Sequence, residues 1–155
     1  MRAVGDPDYL PKEHTTMPGE GHLETLLKNM EPEMHEGIFA FCSIPEGREI
    51  PAALGPVHIF REREGTALIV RREQAESAKL PYQFASRMIT LAVHSSLEAI
   101  GFLAAITARL ADAGISVNAV SAFYHDHLFV PEHRAREALQ LLQNMHDPAE
   151  QAQPG

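Results

Sequence analysis

The sequence has one cysteine, no tryptophan and three tyrosines in 155 residues. A lone Cys42 cannot close an intramolecular disulfide, and within Ile38-Phe39-Ala40-Phe41-Cys42 it reads as a buried small hydrophobe rather than a reactive thiol. No stretch approaches the roughly 20 apolar residues of a membrane-crossing helix. The first residues carry Asp6, Asp8 and Glu13 and lack the apolar core of a signal peptide, so the expectation is a cytoplasmic protein. Positive charge is scarce. Thirteen Lys and Arg stand against 21 Asp and Glu, for a net charge of −8, and the largest basic cluster is Arg71-Arg72. A surface of that sign repels polyphosphates, which argues against a nucleic-acid partner. Also missing are a nucleophile–base signature, a phosphate-cradling glycine loop and a paired-carboxylate motif, so neither catalysis nor a cofactor is expected.

With 45% hydrophobic residues, the chain can bury an ordinary globular core. From Met88 to Leu142 it reads as strand, loop, helix, two strands and a helix. Ile89, Leu91 and Val93 alternate with Thr90, Ala92 and His94, the period-two pattern of a half-buried strand. Ser95-Ser96-Leu97-Glu98 has the spacing of a capping box, which predicts that the helix begins there. Leu103, Ala104, Thr107, Leu110 and Ala111 give that helix its apolar stripe, and Gly114 is suited to its left-handed end. Val117–Tyr124 and Leu128–Val130 flank His125-Asp126-His127, which is expected to be the turn of a hairpin. Pro131 then suits the first position of a helix whose stripe is Ala135, Ala138, Leu139 and Leu142.

The chain also repeats itself. Residues 67–78 align without gaps on residues 127–138, each a strand running into a helix. Val57–Arg63 matches the strand before Leu128, and Gly37–Ser43 matches the strand at Met88–His94. The repeat fails between Ser43 and Val57, where Pro45, Gly47 and Pro51 break any long helix. A short helix carrying Leu23, Leu26, Leu27 and Met30 is the candidate to fill that place. The expected organisation is therefore a flexible segment 1–20, a first unit 21–84, a second unit 85–143 and a flexible tail 144–155. The two antiparallel sheets, with helices on one face, would join edge to edge or pack back to back.

Several of these segments resemble the ACT domain, a βαββαβ amino-acid-binding module, in its tandem form. Ile100-Gly101-Phe102-Leu103-Ala104-Ala105-Ile106 resembles the Gly-x-Leu turn into that family's first helix, and Leu110–Val117 resembles its helix end and second strand. Gly37–Ser43, Ala85–Thr90 and Tyr124–Pro131 are similar to segments of the tandem subfamily, so the likeness covers about Leu23 to Leu142. It implies an α+β fold of two ferredoxin-like units, the first with a degenerate first helix. It further implies a regulatory or sensor module without catalytic activity, which binds an amino acid and forms a homodimer or acts on a separate protein partner.

The ligand contacts implied are His94, Ser95, Ser96, Glu98, Ala99, Ile100, Gly101 and Phe102 on the first loop, with Asn118, Ala119, Val120 and Ser121 on the second strand. The family's usual Asp and Pro-Gly are replaced by His94-Ser95-Ser96 and Ile100-Gly101, so main-chain contacts carry over better than side-chain ones. The residues support such a site independently, since amides at a helix start can hold a carboxylate. Glu98, Asn118 and Ser121 can then meet an ammonium group. The plainer alternative is that Ser95 and Glu98 merely cap the helix. Two further readings stay open: an interaction module with no ligand, and a metal-dependent enzyme using the His125 and His127 pair. No third ligand for such a metal can be assigned from spacing, with His58, His94 and His133 of unknown proximity, so no metal is expected.

Overall fold

A computed structural model describes residues 19–146. The flexibility expected at the two ends of the chain concerns residues 1–18 and 147–155, which lie outside the described residues. In chain order the elements are α1 (Leu23–Asn29), β1 (Glu31–Met34), β2 (Phe39–Pro45), β3 (His58–Glu62), β4 (Gly65–Arg71), α2 (Arg72–Ser77), β5 (Gln83–Ala92), α3 (Phe102–Asp112), β6 (Asn118–Ser121), β7 (Asp126–Pro131) and α4 (Ala135–Gln143). Short 3-10 turns occupy Ala52–Leu54, Glu132–Arg134 and Asn144–His146. Two α+β units in tandem share one sheet in the order β3-β4-β2-β5-β7-β6, antiparallel at every paired strand, with β1 added to β5.

The sheets join edge to edge, and β5 makes the joint. Its first residues lie against β2 (Phe39 opposite Ser86), while Ile89 to Ala92 lie against β1. Its other edge runs along β7 from Ser86 to Leu91. One strand of ten residues thus closes the first unit and opens the second. The repeat at a spacing of sixty is real: β4 runs into α2 as β7 runs into the turn before α4, and the equivalent residues Arg72 and Glu132 meet at 3.3 Å.

Alternation sorts side chains onto two faces. On the helix side, Leu26, Met30, Ile89, Leu91, Phe102, Ile106, Leu110, Leu128, Val130, Ala138 and Leu142 form the main core, and Cys42, Ile44, Leu54, Leu68, Val70 and Ala75 form a smaller one. The first of these corrects an expectation. Helix α1 does not fill the vacant place in the first unit but packs with α3 and α4 on the second. The vacant place is occupied by the turn Ala52–Leu54, whose Leu54 is buried in the smaller core. Strand β1 was not anticipated. Glu31-Pro32-Glu33-Met34 has no strand-like alternation of apolar residues, and Pro32 is tolerated because β1 pairs on one side only.

On the other face Phe39, Ile69 and Phe129 are buried, and among the described residues no helix packs on them. Phe39 and Phe41 both meet Phe129 edge-on, at 5.9 and 5.7 Å between ring centres. The sheet curls on this side, so that His58 and Phe60 from one edge and Asn118 and Val120 from the other line a single hollow of about 360 Å³. Where the β2–β5 register shifts between Phe39 and Phe41, Phe84 takes a positive φ of 58° and stacks edge-on against Phe41 at 5.7 Å.

Candidate functional site

Strand β5 stops at Ala92, and the next residues fold tightly: Val93 N–H donates to the Leu91 carbonyl at 2.8 Å and Ser95 N–H to the Val93 carbonyl at 2.9 Å. The loop then runs to Gly101. The Ser96 hydroxyl accepts from Glu98 N–H at 3.1 Å and the Ser96 carbonyl from Ala99 N–H at 3.0 Å, which is a turn of its own and not a helix cap. The expected capping box is therefore not formed, and α3 starts at Phe102. Its N-cap is Gly101 at φ +87°, with no side-chain cap. A glycine fits there because the left-handed conformation carries no Cβ penalty. The amides of Phe102, Leu103 and Ala104 have no helical carbonyl behind them, so the positive end of the α3 dipole is left for something else.

The buried stripe of α3 is Phe102, Ile106 and Leu110, while Ala104 is exposed. The stripe read off the sequence is thus met at Leu110 and at the partly buried Leu103, while Phe102 and Ile106 take the inward places expected of Ala104 and Ala111, which are exposed. The helix ends as expected: Ile115 N–H reaches the Leu110 carbonyl at 2.9 Å and Gly114 N–H that of Ala111 at 2.8 Å, with Gly114 at φ +67°.

Facing this loop are the ends of β6 and β7. The hairpin turn is Ala122–His125, closed by Ala122 N–H to the His125 carbonyl at 3.0 Å. The sequence had placed the turn at His125-Asp126-His127; instead Asp126 and His127 belong to β7, paired with Leu91 and Thr90 of β5. Asp126, only 7% exposed, falls on the helix face. Its Oδ1 accepts from the Ser121 hydroxyl at 2.6 Å and its Oδ2 from the Ser95 hydroxyl at 3.4 Å. Between loop and hairpin lies a cleft of about 160 Å³, with Ser95, Ser96, Phe102, Ser121 and Asp126 among its lining residues.

Six of the anticipated residues share this cleft: Ser95, Ser96, Ala99, Gly101, Phe102 and Ser121. The others stand apart. His94 lies against the Tyr124 ring at 5.4 Å, and Glu98 and Ile100 are exposed. Asn118, Ala119 and Val120 lie outside the cleft and border the concave hollow, with Asn118 and Val120 opposite Phe129 and His127. Sequence reasoning passed over Asp126. The signal available was its place two residues before the apolar run Leu128-Phe129-Val130, where β alternation puts it on the core face. All the lining residues come from the second unit, so the cleft is not at the seam of the two halves.

On the concave face Thr90 links two imidazoles, with its hydroxyl 2.7 Å from His35 Nε2 and 2.9 Å from His127 Nδ1. Burial pulls the His127 pKa below its ordinary value, and the nearby His125 and His35 add to the effect. Among the described residues no group of three His, Cys, Asp or Glu side chains is placed to hold a metal ion. Cys42 is buried, and desolvation raises its thiol pKa, which keeps it protonated. No described helix is long and apolar enough to cross a membrane.

Residues 18–87 and 83–144 each match a family model described as ACT domain. Among solved structures, a protein of unknown function from Vibrio cholerae, described as a possible transport protein, is 40% identical over 81% of this chain and 96% of its own, with a TM-score of 0.74. A protein from Agrobacterium tumefaciens is 18% identical over 76% of this chain and 89% of its own, at a TM-score of 0.66. The regulatory subunit of aspartate kinase from Thermus flavus is 10% identical over 76% and 97%, at 0.53. The last two share the fold. No curated protein matches the chain.

Proposed function

Since this chain belongs to the ACT-domain family and carries two of its units in tandem, we propose that it is a regulatory module without catalytic activity, which binds a free amino acid in the cleft between the 93–101 loop and the β6–β7 hairpin. One observation carries the reading: a buried carboxylate, Asp126, stands at a cleft that also receives the uncapped N-terminus of α3. The two charged ends of a zwitterion need opposite partners. The amides of Phe102 to Ala104 suit its carboxylate, by hydrogen bonds and by the helix dipole. Asp126 suits its ammonium, since each carboxylate oxygen bonded to a serine keeps a further lone pair. The serine hydroxyls fix the orientation of Asp126 in advance, which lowers the cost of ordering on binding.

Regulation is the part argued by fold-level analogy, the same fold serving as a regulatory subunit of aspartate kinase in Thermus flavus. A ligand bridging loop and hairpin stabilises one arrangement of the cleft rim, and a partner that senses the rim responds. The rim is apolar and open: Leu97 is 71%, Ile100 86% and Phe123 59% exposed. We assign that surface to a second copy or a separate protein partner, in the cytoplasm. The same exposure favours a second reading, an interaction module whose cleft is empty of ligand. Thermal unfolding with each of the twenty amino acids separates them. Ligand linkage predicts about 2.7 kcal/mol of added stability at a hundredfold excess over Kd. A melting midpoint unmoved by all of them leaves only the interaction module.

A further inference from the structure

We propose that Gly19 and Glu20 are positioning residues of the cleft, a strap from the N-terminal side of α1 that sets the place of Ser95. The inference rests on the amino-acid-binding reading above. The strap runs parallel to the loop and brackets one residue of it: Glu20 N–H donates to the His94 carbonyl at 2.9 Å, and Ser96 N–H donates to the Glu20 carbonyl at 2.8 Å. Ser95, held from both sides in this way, is the residue whose hydroxyl turns to Asp126.

Gly19 sits so close that a Cβ on it would lie 2.6 Å from the Ser95 carbonyl carbon and the Ser96 nitrogen, and 2.7 Å from the Ser95 carbonyl oxygen. All three are backbone atoms, so a side chain at 19 displaces the loop itself. The Glu20 carboxylate fastens the strap to the start of α1, accepting from Gly21 N–H and His22 N–H at 2.7 Å each and meeting His22 Nδ1 at 3.0 Å. Leu23 on α1 approaches the other end of the same loop at Gly101, 3.5 Å from where a Cβ would stand. The loop therefore takes its shape from an element more than seventy residues away in sequence, and a substitution in the strap reaches the cleft through the backbone of Ser95 and Ser96 with every lining residue itself unchanged.

The test compares Gly19→Ala with Gly21→Ala, since a Cβ at residue 21 meets nothing within 4 Å. Hydrogen exchange at the Ser96 amide reads the strap directly, and calorimetry with the panel of twenty amino acids reads the cleft. Gly19→Ala is expected to raise Ser96 exchange and to weaken the tightest-binding amino acid about tenfold, a shift of about 1.4 kcal/mol, with the unfolding midpoint in the absence of amino acid held near that of Gly21→Ala. Gly21→Ala is expected to leave exchange and affinity unchanged. Ser96 exchange and affinity unmoved in Gly19→Ala overturn the inference, as does an equal effect in both variants. A wild-type chain that binds none of the twenty refutes the proposed function, and the strap then stands or falls on the Ser96 exchange alone.

Discussion

Asp126→Asn keeps the shape of the side chain and removes its charge. The 2.6 Å bond from the Ser121 hydroxyl is in the range of an O–H donating to an ionised oxygen. Converting it to a neutral bond costs folding stability about 1 kcal/mol, the difference between typical charged and neutral hydrogen bonds. The effect on binding is larger. Truncating one partner of a buried, hydrogen-bonded charge pair costs about 2–5 kcal/mol, which raises Kd roughly 30- to 5,000-fold. Calorimetry with the amino acid that binds the wild type best measures this, and a urea titration measures the stability term separately. Equal affinity in the variant would refute the assignment of the ligand ammonium to Asp126. So would a loss of affinity matched by wholesale loss of folding, because Asp126 would then be a structural residue only.

The His127 imidazole, depressed mainly by burial, gives stability a slope in the weakly acidic range. Its folded pKa lies below the unfolded value of about 6.5, so the unfolded chain binds the proton more readily. Stability should fall as pH drops through 6.5 and below, and His127→Gln should flatten that slope; urea midpoints that show no difference between wild type and variant count against it. Leu26→Ala, at a fully buried position of α1, should cost about 2–5 kcal/mol. Its hydrogen-exchange signature should appear in β5 to β7 rather than in β3 and β4, and the reverse pattern would return α1 to the first unit. A fragment of residues 35–84 should fail to unfold cooperatively, since it lacks Ser86 beside Phe39 and the Phe129 ring against which Phe39 and Phe41 pack. A sharp thermal transition in that fragment would show the first unit to be self-sufficient.

Much of this architecture was legible because it rests on local pattern. The α4 stripe at Ala135, Ala138 and Leu142, the left-handed end of α3 at Gly114 and the break after Ser43 each follow from residues a few positions apart, whereas Pro131, expected to open that helix, ends β7 ahead of the 3-10 turn Glu132–Arg134. What escaped depends on distant partners. Strand β1 exists because β5 offers a free edge, and nothing in Glu31-Pro32-Glu33-Met34 announces that. Helix α1 has a readable stripe, but a stripe names no partner, and Leu26 and Met30 went to the second unit rather than to the gap in the first. At the cleft the Ser95–Glu98 spacing matched a capping box, while the loop followed tertiary contacts with Gly19 and Glu20 and delayed the helix to Phe102. Reading polar His125-Asp126-His127 as the turn concealed Asp126. A buried carboxylate on a core face is uncommon enough that composition alone steers away from it.

The two units are unequal for a reason that follows from these same elements. A cleft of this kind needs a helix N-terminus left uncapped after the first strand, and among the described residues only the second unit has one, since Ala52–Leu54 in the first is a single 3-10 turn whose Leu54 plugs its own core. The first unit contributes differently. It supplies β2, which pins the start of β5, and the concave cluster of Phe39 and Phe41 against Phe129 of β7. Those contacts hold β5 and β7 from the face opposite the cleft, and β7 is the strand that carries Asp126. The strap and α1 hold the loop from the N-terminal side. The site is thus braced by segments on both sides of it in sequence, which makes the fold of the whole chain, rather than of residues 85–143 alone, the condition for its shape.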